Sequence, residues 1–161
     1  MKKGFTLVEL LVVVAILGVL AAVGIVSFGG FLKSTKENTV KANHVNIVKF
    51  CQSQIMKCTL GANSIVFKDK DTGNNYNFDC YTSPLTISNL GSYANACIGH
   101  FEGDGWKNVY ESRHLAVSKG TECSTRTGQT EMDPISNNTM FVCTKWGKGE
   151  NDTIIDTFSV E

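Results

Sequence analysis

The sequence predicts an α+β fold: one long N-terminal helix packed by its C-terminal half on an antiparallel sheet of about four strands, stapled by disulfides. Three observations support this prediction. An apolar run opens the chain, helical periodicity follows it, and the last hundred or so of the 161 residues contain short alternating segments between turn residues. A head of that size holds one small hydrophobic core.

The apolar run FTLVELLVVVAILGVLAAVGIVSF covers residues 5–28 and follows a short basic head that ends at Gly4. As a helix it is about 36 Å long, enough to cross a hydrocarbon layer of about 30 Å. Glu9 is the one charged residue in the run. Since a charged side chain at the centre of a spanning helix costs about 2.5 to 3.5 kcal/mol, we expect this carboxylate to have a partner. The nearest candidate cation is the α-amino group of Phe5, which forms if the chain is cut after Gly4.

The helix is expected to continue to about residue 60, because apolar residues recur at spacings of three, four and seven. These residues are Val40, Ile47, Val48, Cys51, Ile55 and Cys58. The opposite positions are polar, so this half is predicted to lay an apolar stripe on the sheet. Gly61 is placed to end the helix as a left-handed cap.

The remaining segments predict two hairpins. Residues 64–68 and 75–80 alternate around DKDTGN, and residues 139–146 and 153–160 flank GKGEND. Residues 114–118 are a further candidate strand, and residues 84–105 are expected to be irregular. The predicted division is a leader at 1–4, a spanning helix at 5–32, an amphipathic helix at 33–60 and a β-rich head at 61–161.

The residues KGFTLVEL, followed by the apolar run, resemble the N-terminus of type IV prepilins. The resemblance implies that a prepilin peptidase cuts after Gly4 and methylates the amino group of Phe5. It also implies that Glu9 pairs with the N-terminus of a neighbouring subunit during assembly. The motif covers about the first fifth of the chain and is shared by the pseudopilins of type II secretion.

The run departs from the family at Val26, where most such helices carry a proline. Gly24, Gly29 and Gly30 each lower helix stability by up to about 1 kcal/mol relative to alanine, so they are alternative breakers. Whether the helix melts in this region is left open.

Two other interpretations of the N-terminus are a conventional signal peptide and a plain single-span anchor. A signal peptide has an apolar core of roughly 7 to 15 residues and an A-x-A-like cleavage site, and neither fits well. Lysines flank the run on both sides, which suits an anchor. Glu9 and the Gly4–Phe5 junction favour the prepilin interpretation.

Six cysteines are many for so small a head, and an export signal places them where disulfides persist. They are Cys51, Cys58, Cys80, Cys97, Cys123 and Cys143. There is no C-x-x-C pair and the three histidines are not spaced as zinc ligands, so we expect three disulfides and no metal site. Six cysteines permit fifteen pairings. The resemblance to pilins implies one of them, Cys123 with Cys143.

Neither charge nor motifs indicate nucleic-acid binding or catalysis. The formal net charge is zero, which gives no strong basic field. No nucleophile with an adjacent histidine and acid, and no phosphate-binding glycine loop, is present in the sequence. We therefore expect no catalytic residue and no cofactor.

The resemblance implies a structural subunit of a type IVa-like pilus. Its partners would be other pilin subunits, the peptidase, the inner-membrane assembly machinery and, before assembly, inner-membrane lipid. The subunit would then move from the inner membrane into an extracellular filament used for adhesion, surface motility or DNA uptake. The alternatives are a type II secretion pseudopilin and a minor or DNA-binding competence pilin.

Overall fold

The structure is a computed structural model that describes residues 4–80 and 87–160, except for the side chains of Ile87 and Ser88. Leader residues 1–3 and residues 84–86 of the expected irregular segment lie outside the described residues. The chain divides into two compact units, residues 1–36 and 37–161. The elements are α1 (Leu7–Thr59), β1 (Ser64–Lys68), β2 (Asn75–Asp79), α2 (Ile87–Gly103), β3 (Val117–Lys119), β4 (Thr130–Ser136), β5 (Thr139–Lys145) and β6 (Thr153–Ser159).

The first unit contains the N-terminal part of α1. The helix continues through Gly24, Gly29 and Gly30 without interruption. A Cβ atom added at any of these glycines would meet nothing within 4 Å. In this conformation the glycines neither end the helix nor pack against another element.

The second unit begins at Glu37 and contains the amphipathic half of α1. The predicted apolar stripe is confirmed, because Val40, Ile47, Val48, Cys51 and Ile55 are buried. The predicted stop is also confirmed. Gly61 has φ of 93° and donates its N–H to the carbonyl of Cys58, while Ala62 donates to Lys57, which is a Schellman cap.

The larger sheet has the order β3-β4-β5-β6, and β1 and β2 form a separate antiparallel pair. Both predicted hairpins are present, in register from Ser64↔Asp79 and from Thr139↔Ser159. The α+β class with a long helix and antiparallel strands is confirmed. Strand β3 differs, since it runs parallel to β4 along Val117 to Lys119.

Helix α2 corrects the expectation that residues 84–105 are irregular. Residues Ile87 to Gly103 are helical, and Leu90, Ala94, Cys97 and Phe101 on one face are buried. These positions follow the helical spacing of four, seven and eleven residues. Three glycines and several asparagine and serine residues within the segment obscured that period in the sequence.

The hydrophobic core of the second unit lies between the two helices and the strands. Ile47 and Cys51 from α1, Tyr93 and Cys97 from α2, and Met132 from β4 belong to one buried cluster. Aromatic rings continue this core toward the β1–β2 hairpin, where Phe67 makes edge contacts with Phe50, Phe78, Tyr93 and His100.

Candidate functional site in the N-terminal helix

The first unit presents an apolar surface to solvent. Every described residue from Gly4 to Phe31 is exposed, including Phe5 at 80% and Ile25 at 76% of its surface. Among the described residues, one helix, α1, is long and apolar enough to span a membrane. A surface this apolar, left uncovered over some seven helical turns, requires lipid or protein around it.

Glu9 lies in the first turn of α1 and forms a capping box with Thr6. Its Oε2 accepts hydrogen bonds from the backbone N–H of Thr6 at 2.8 Å and from the Thr6 hydroxyl at 2.7 Å. The Glu9 N–H donates in turn to the Thr6 hydroxyl oxygen at 3.3 Å. This arrangement satisfies N–H groups that the helix start leaves unpaired, and it places a negative charge at the positive end of the helix dipole.

The capping box gives the two carboxylate oxygens of Glu9 different roles. Both bonds from Thr6 end on Oε2, and within the described ranges no hydrogen bond ends on Oε1. The carboxylate is therefore held in one orientation while retaining the capacity to accept a bond from a cation. A protonated amine is the chemically suited donor in apolar surroundings.

Sequence reasoning singled out Gly4, Phe5 and Glu9 but missed Thr6. Gly4, Phe5 and Thr6 precede the first helical residue, Leu7, and Glu9 follows in the first turn. The signal for Thr6 was available, because T-x-x-E directly before an apolar run is the sequence pattern of a capping box.

The cysteines all lie in the second unit. Cys58 is joined to Cys80 with Cα atoms 5.3 Å apart, and Cys123 is joined to Cys143 with Cα atoms 5.1 Å apart. The second pairing agrees with the one that the resemblance implied. The first ties the end of α1 to the end of β2. Cys51 and Cys97 are buried thiols.

Within the described part of the chain, no group of three or more histidine, cysteine, aspartate or glutamate side chains is arranged to hold a metal ion. Asp69, one of these acidic residues, organises the turn between β1 and β2 through its side chain. Its Oδ1 accepts from the N–H groups of Asp71 and Thr72 and from the Thr72 hydroxyl.

Comparison with known proteins agrees with the features of the N-terminal segment. Residues 1–25 match the family described as the prokaryotic N-terminal methylation motif. Over 101 residues the chain is 30% identical to the type IV major pilin protein PilA of Myxococcus xanthus (strain DK1622). That alignment covers 63% of this chain and 40% of the relative. No solved structure matches the chain. The chain thus carries a prokaryotic N-terminal methylation motif over residues 1–25 and is similar over 101 residues to a type IV major pilin.

Proposed function

We propose that the chain is the precursor of a major subunit of a type IV pilus. A prepilin peptidase cuts between Gly4 and Phe5 and methylates Phe5, and the inner membrane stores the subunit by residues 5–32. The assembly machinery then moves it into an extracellular filament. One observation supports this most strongly: the N-terminal part of α1 exposes apolar side chains on all sides.

The same helical segment can lie in the membrane before assembly and in the filament core after it, because both environments are apolar. In the membrane, lipid covers the apolar side chains. In the filament, the same side chains are covered by the helices of neighbouring subunits, so transfer exchanges one apolar environment for another. Glycines such as Gly18, where an added Cβ would meet open space, permit close approach of a neighbouring helix.

Glu9 supplies the specific contact in this proposal. The carboxylate that Thr6 orients receives the methylated amine of a neighbouring Phe5 on Oε1. An ion pair in apolar surroundings is strongly favoured over either charge alone, because removal of one partner leaves an uncompensated buried charge. The contact therefore sets the axial position of one subunit relative to the next.

The proposed division of labour follows the chain. Residues 1–4 are removed, residues 5–32 form the filament core, residues 33–60 carry the head, and residues 61–161 form the outer coat. Adhesion, surface motility and DNA uptake are the activities that such a coat would serve.

The test compares filament and membrane amounts of Glu9→Ala with the wild type, by immunoblot of sheared filaments and of the membrane fraction. We expect membrane amounts to hold while filaments are lost. Glu37→Ala, which removes a carboxylate from the same helix outside the apolar run, is the matched control and should assemble. Filaments of Glu9→Ala at the wild-type amount would overturn the assembly role.

Processing is tested on the same samples. Gly4→Asp should leave the uncut precursor in the membrane, and N-terminal mass analysis of wild-type filaments should find methylated Phe5. An N-terminus near Ala22 would instead identify a conventional signal peptide. A processed chain with no long surface filament would support a secretion pseudopilin.

A further inference from the structure

Cys51 and Cys97 are both buried in the core of the second unit. Both side chains have no solvent-exposed surface. Cys51 lies on α1 and Cys97 lies on α2, and both side chains belong to the same buried cluster. Two cysteines so placed, in a chain whose other four are joined in pairs, are candidates for a bond with each other.

The packing of α2 holds this pair together independently of any covalent bond. The hydroxyl of Tyr93 donates a hydrogen bond to the backbone carbonyl of Cys51. Tyr93 precedes Cys97 by one helical turn, so both residues lie on the face of α2 that meets α1. Tyr93 is itself almost fully buried at 1% exposure. The interface therefore presents Cys97 to Cys51 in a defined geometry.

We propose that Cys51 and Cys97 are joined in a third disulfide, which links α1 to α2 inside the core. The two thiols lose two protons and two electrons. A disulfide-bearing oxidant of the thiol–disulfide exchange class accepts the electrons and becomes a dithiol. This inference rests on the export in the proposed function, because such oxidants act outside the cytosol.

The burial of the pair determines when the bond forms. Exchange requires a thiolate and access for the oxidant. In the packed core an oxidant has no access to the sulfur atoms. Burial also raises the pKa of the Cys51 thiol, so the thiolate does not form there. Oxidation therefore precedes the closure of α2 on α1. In contrast, Cys58, Cys80 and Cys123 are each partly exposed, so each of the other two bridges has at least one sulfur within reach of a native-state reductant.

The experiment uses the mature chain extracted from membranes in detergent. The sample is denatured, alkylated with iodoacetamide before reduction, and digested with trypsin and chymotrypsin. Trypsin cuts after Lys49 and Lys57, which isolates Cys51 from Cys58, and chymotrypsin cuts after Tyr81, which separates Cys80 from Cys97. We expect no alkylated cysteine and a linked species that joins the peptides bearing Cys51 and Cys97.

Cysteine variants test the bond by the number of alkylatable thiols that each one releases. Cys51→Ala and Cys97→Ala should each release one alkylatable thiol that the wild type lacks, and the double variant should release none. Wild-type protein alkylated at both Cys51 and Cys97, with the other four cysteines joined, would overturn the third bond alone. Alkylation of all six cysteines would overturn the proposed export as well.

A second readout concerns native reduction. Under a mild reductant without denaturant, Cys58–Cys80 and Cys123–Cys143 should open first, with the Cys51–Cys97 bridge persisting until the head unfolds. If Cys51 and Cys97 become alkylatable together with the other four, a bridge sealed in the core is excluded.

Discussion

His44 of α1 and Asp156 of β6 meet across 112 residues of sequence, with Nε2 of the histidine 2.8 Å from Oδ2 of the aspartate. The other ring nitrogen, Nδ1, lies 2.8 Å from the hydroxyl of Thr144, which in turn lies 2.6 Å from that of Thr130. The His44 side chain is fully buried, while 53% of the Asp156 side chain is exposed. One imidazole thus fastens the helix to β5 and β6.

The difference in burial predicts unequal effects of mutation. His44→Ala should lower the free energy of unfolding of the head by about 2 to 4 kcal/mol, because it creates a cavity and removes a buried hydrogen-bond partner. Asp156→Ala should cost about 1 kcal/mol or less. The fluorescence of Trp106 and Trp146 during urea unfolding in detergent reports both values. Equal losses for the two variants would contradict this account.

His100 predicts a loss of stability in acid. Its Nδ1 accepts a hydrogen bond from the Lys68 N–H at 3.0 Å, and its ring stacks on Phe50 at 4.2 Å. Burial lowers the pKa of His100, opposed by Asp104 and aided by Lys68. The unfolded chain therefore takes up this proton at a higher pH than the folded chain. The stabilisation is complete above the unfolded pKa of about 6.5 and is lost as the pH falls through the folded pKa.

The measurement is the urea midpoint between pH 7 and pH 5 for the wild type and for His100→Gln. Since the ring is partly solvated, we expect the variant to remove a few tenths to about 1 kcal/mol of the wild-type pH dependence. His114→Gln, at another partly buried histidine, serves as the control. An unchanged pH slope in His100→Gln would show that other groups carry the effect.

Two glycine-to-alanine substitutions should change stability in opposite directions. Gly61 has φ of 93°, so Gly61→Ala forces a side chain into the left-handed region and should destabilise the head by about 1 kcal/mol. Gly91 lies inside α2, where an added Cβ would meet only a Pro134 carbon at 3.9 Å. Gly91→Ala should therefore stabilise by about 0.5 to 1 kcal/mol. Thermal unfolding by circular dichroism distinguishes the two signs, and a stable Gly61→Ala would argue against the Schellman cap.

Thr6 is predicted to control assembly through Glu9. Thr6→Val keeps the shape of the side chain and removes the hydroxyl, so one of the two bonds that hold Oε2 is lost. We expect fewer filaments at unchanged membrane amount, while Thr6→Ser, which keeps the hydroxyl, should assemble. Sheared-filament yield is the measurement, and full assembly of Thr6→Val would show that the backbone bond alone orients Glu9.

The hairpins and α1 were predictable because their signals are local. Residues 64–68 and 75–79 alternate and are joined by turn residues, and the stripe that ends at Gly61 repeats at the helical period. Strand β4 was missed because it contains Pro134, which usually excludes a central strand. Its pairing with β3 ends at Met132, before the proline.

The long-range features were beyond sequence reasoning for a different reason. Neither the parallel pairing of β3 nor the partner of Cys58 has a periodic signal, because both depend on how distant segments meet. The sequence of α1 alone does not indicate that the polar side chain of His44 is buried. Its burial is explained by its hydrogen bonds to Thr144 and Asp156, which are distant in the sequence.

If the head crosses a membrane as proposed, the contact between His44 and Asp156 bears on when the head becomes stable during that crossing. If α1 enters first, its amphipathic half emerges while β5 and β6 are still being synthesised or translocated. Its buried face then lacks the strands that complete it until residue 156 arrives, so the head gains its final stability late in translocation. A ribosome-bound or translocation-arrested chain that stops before β6 should accordingly be cleaved by protease within the second half of α1, whereas a chain released after β6 should resist.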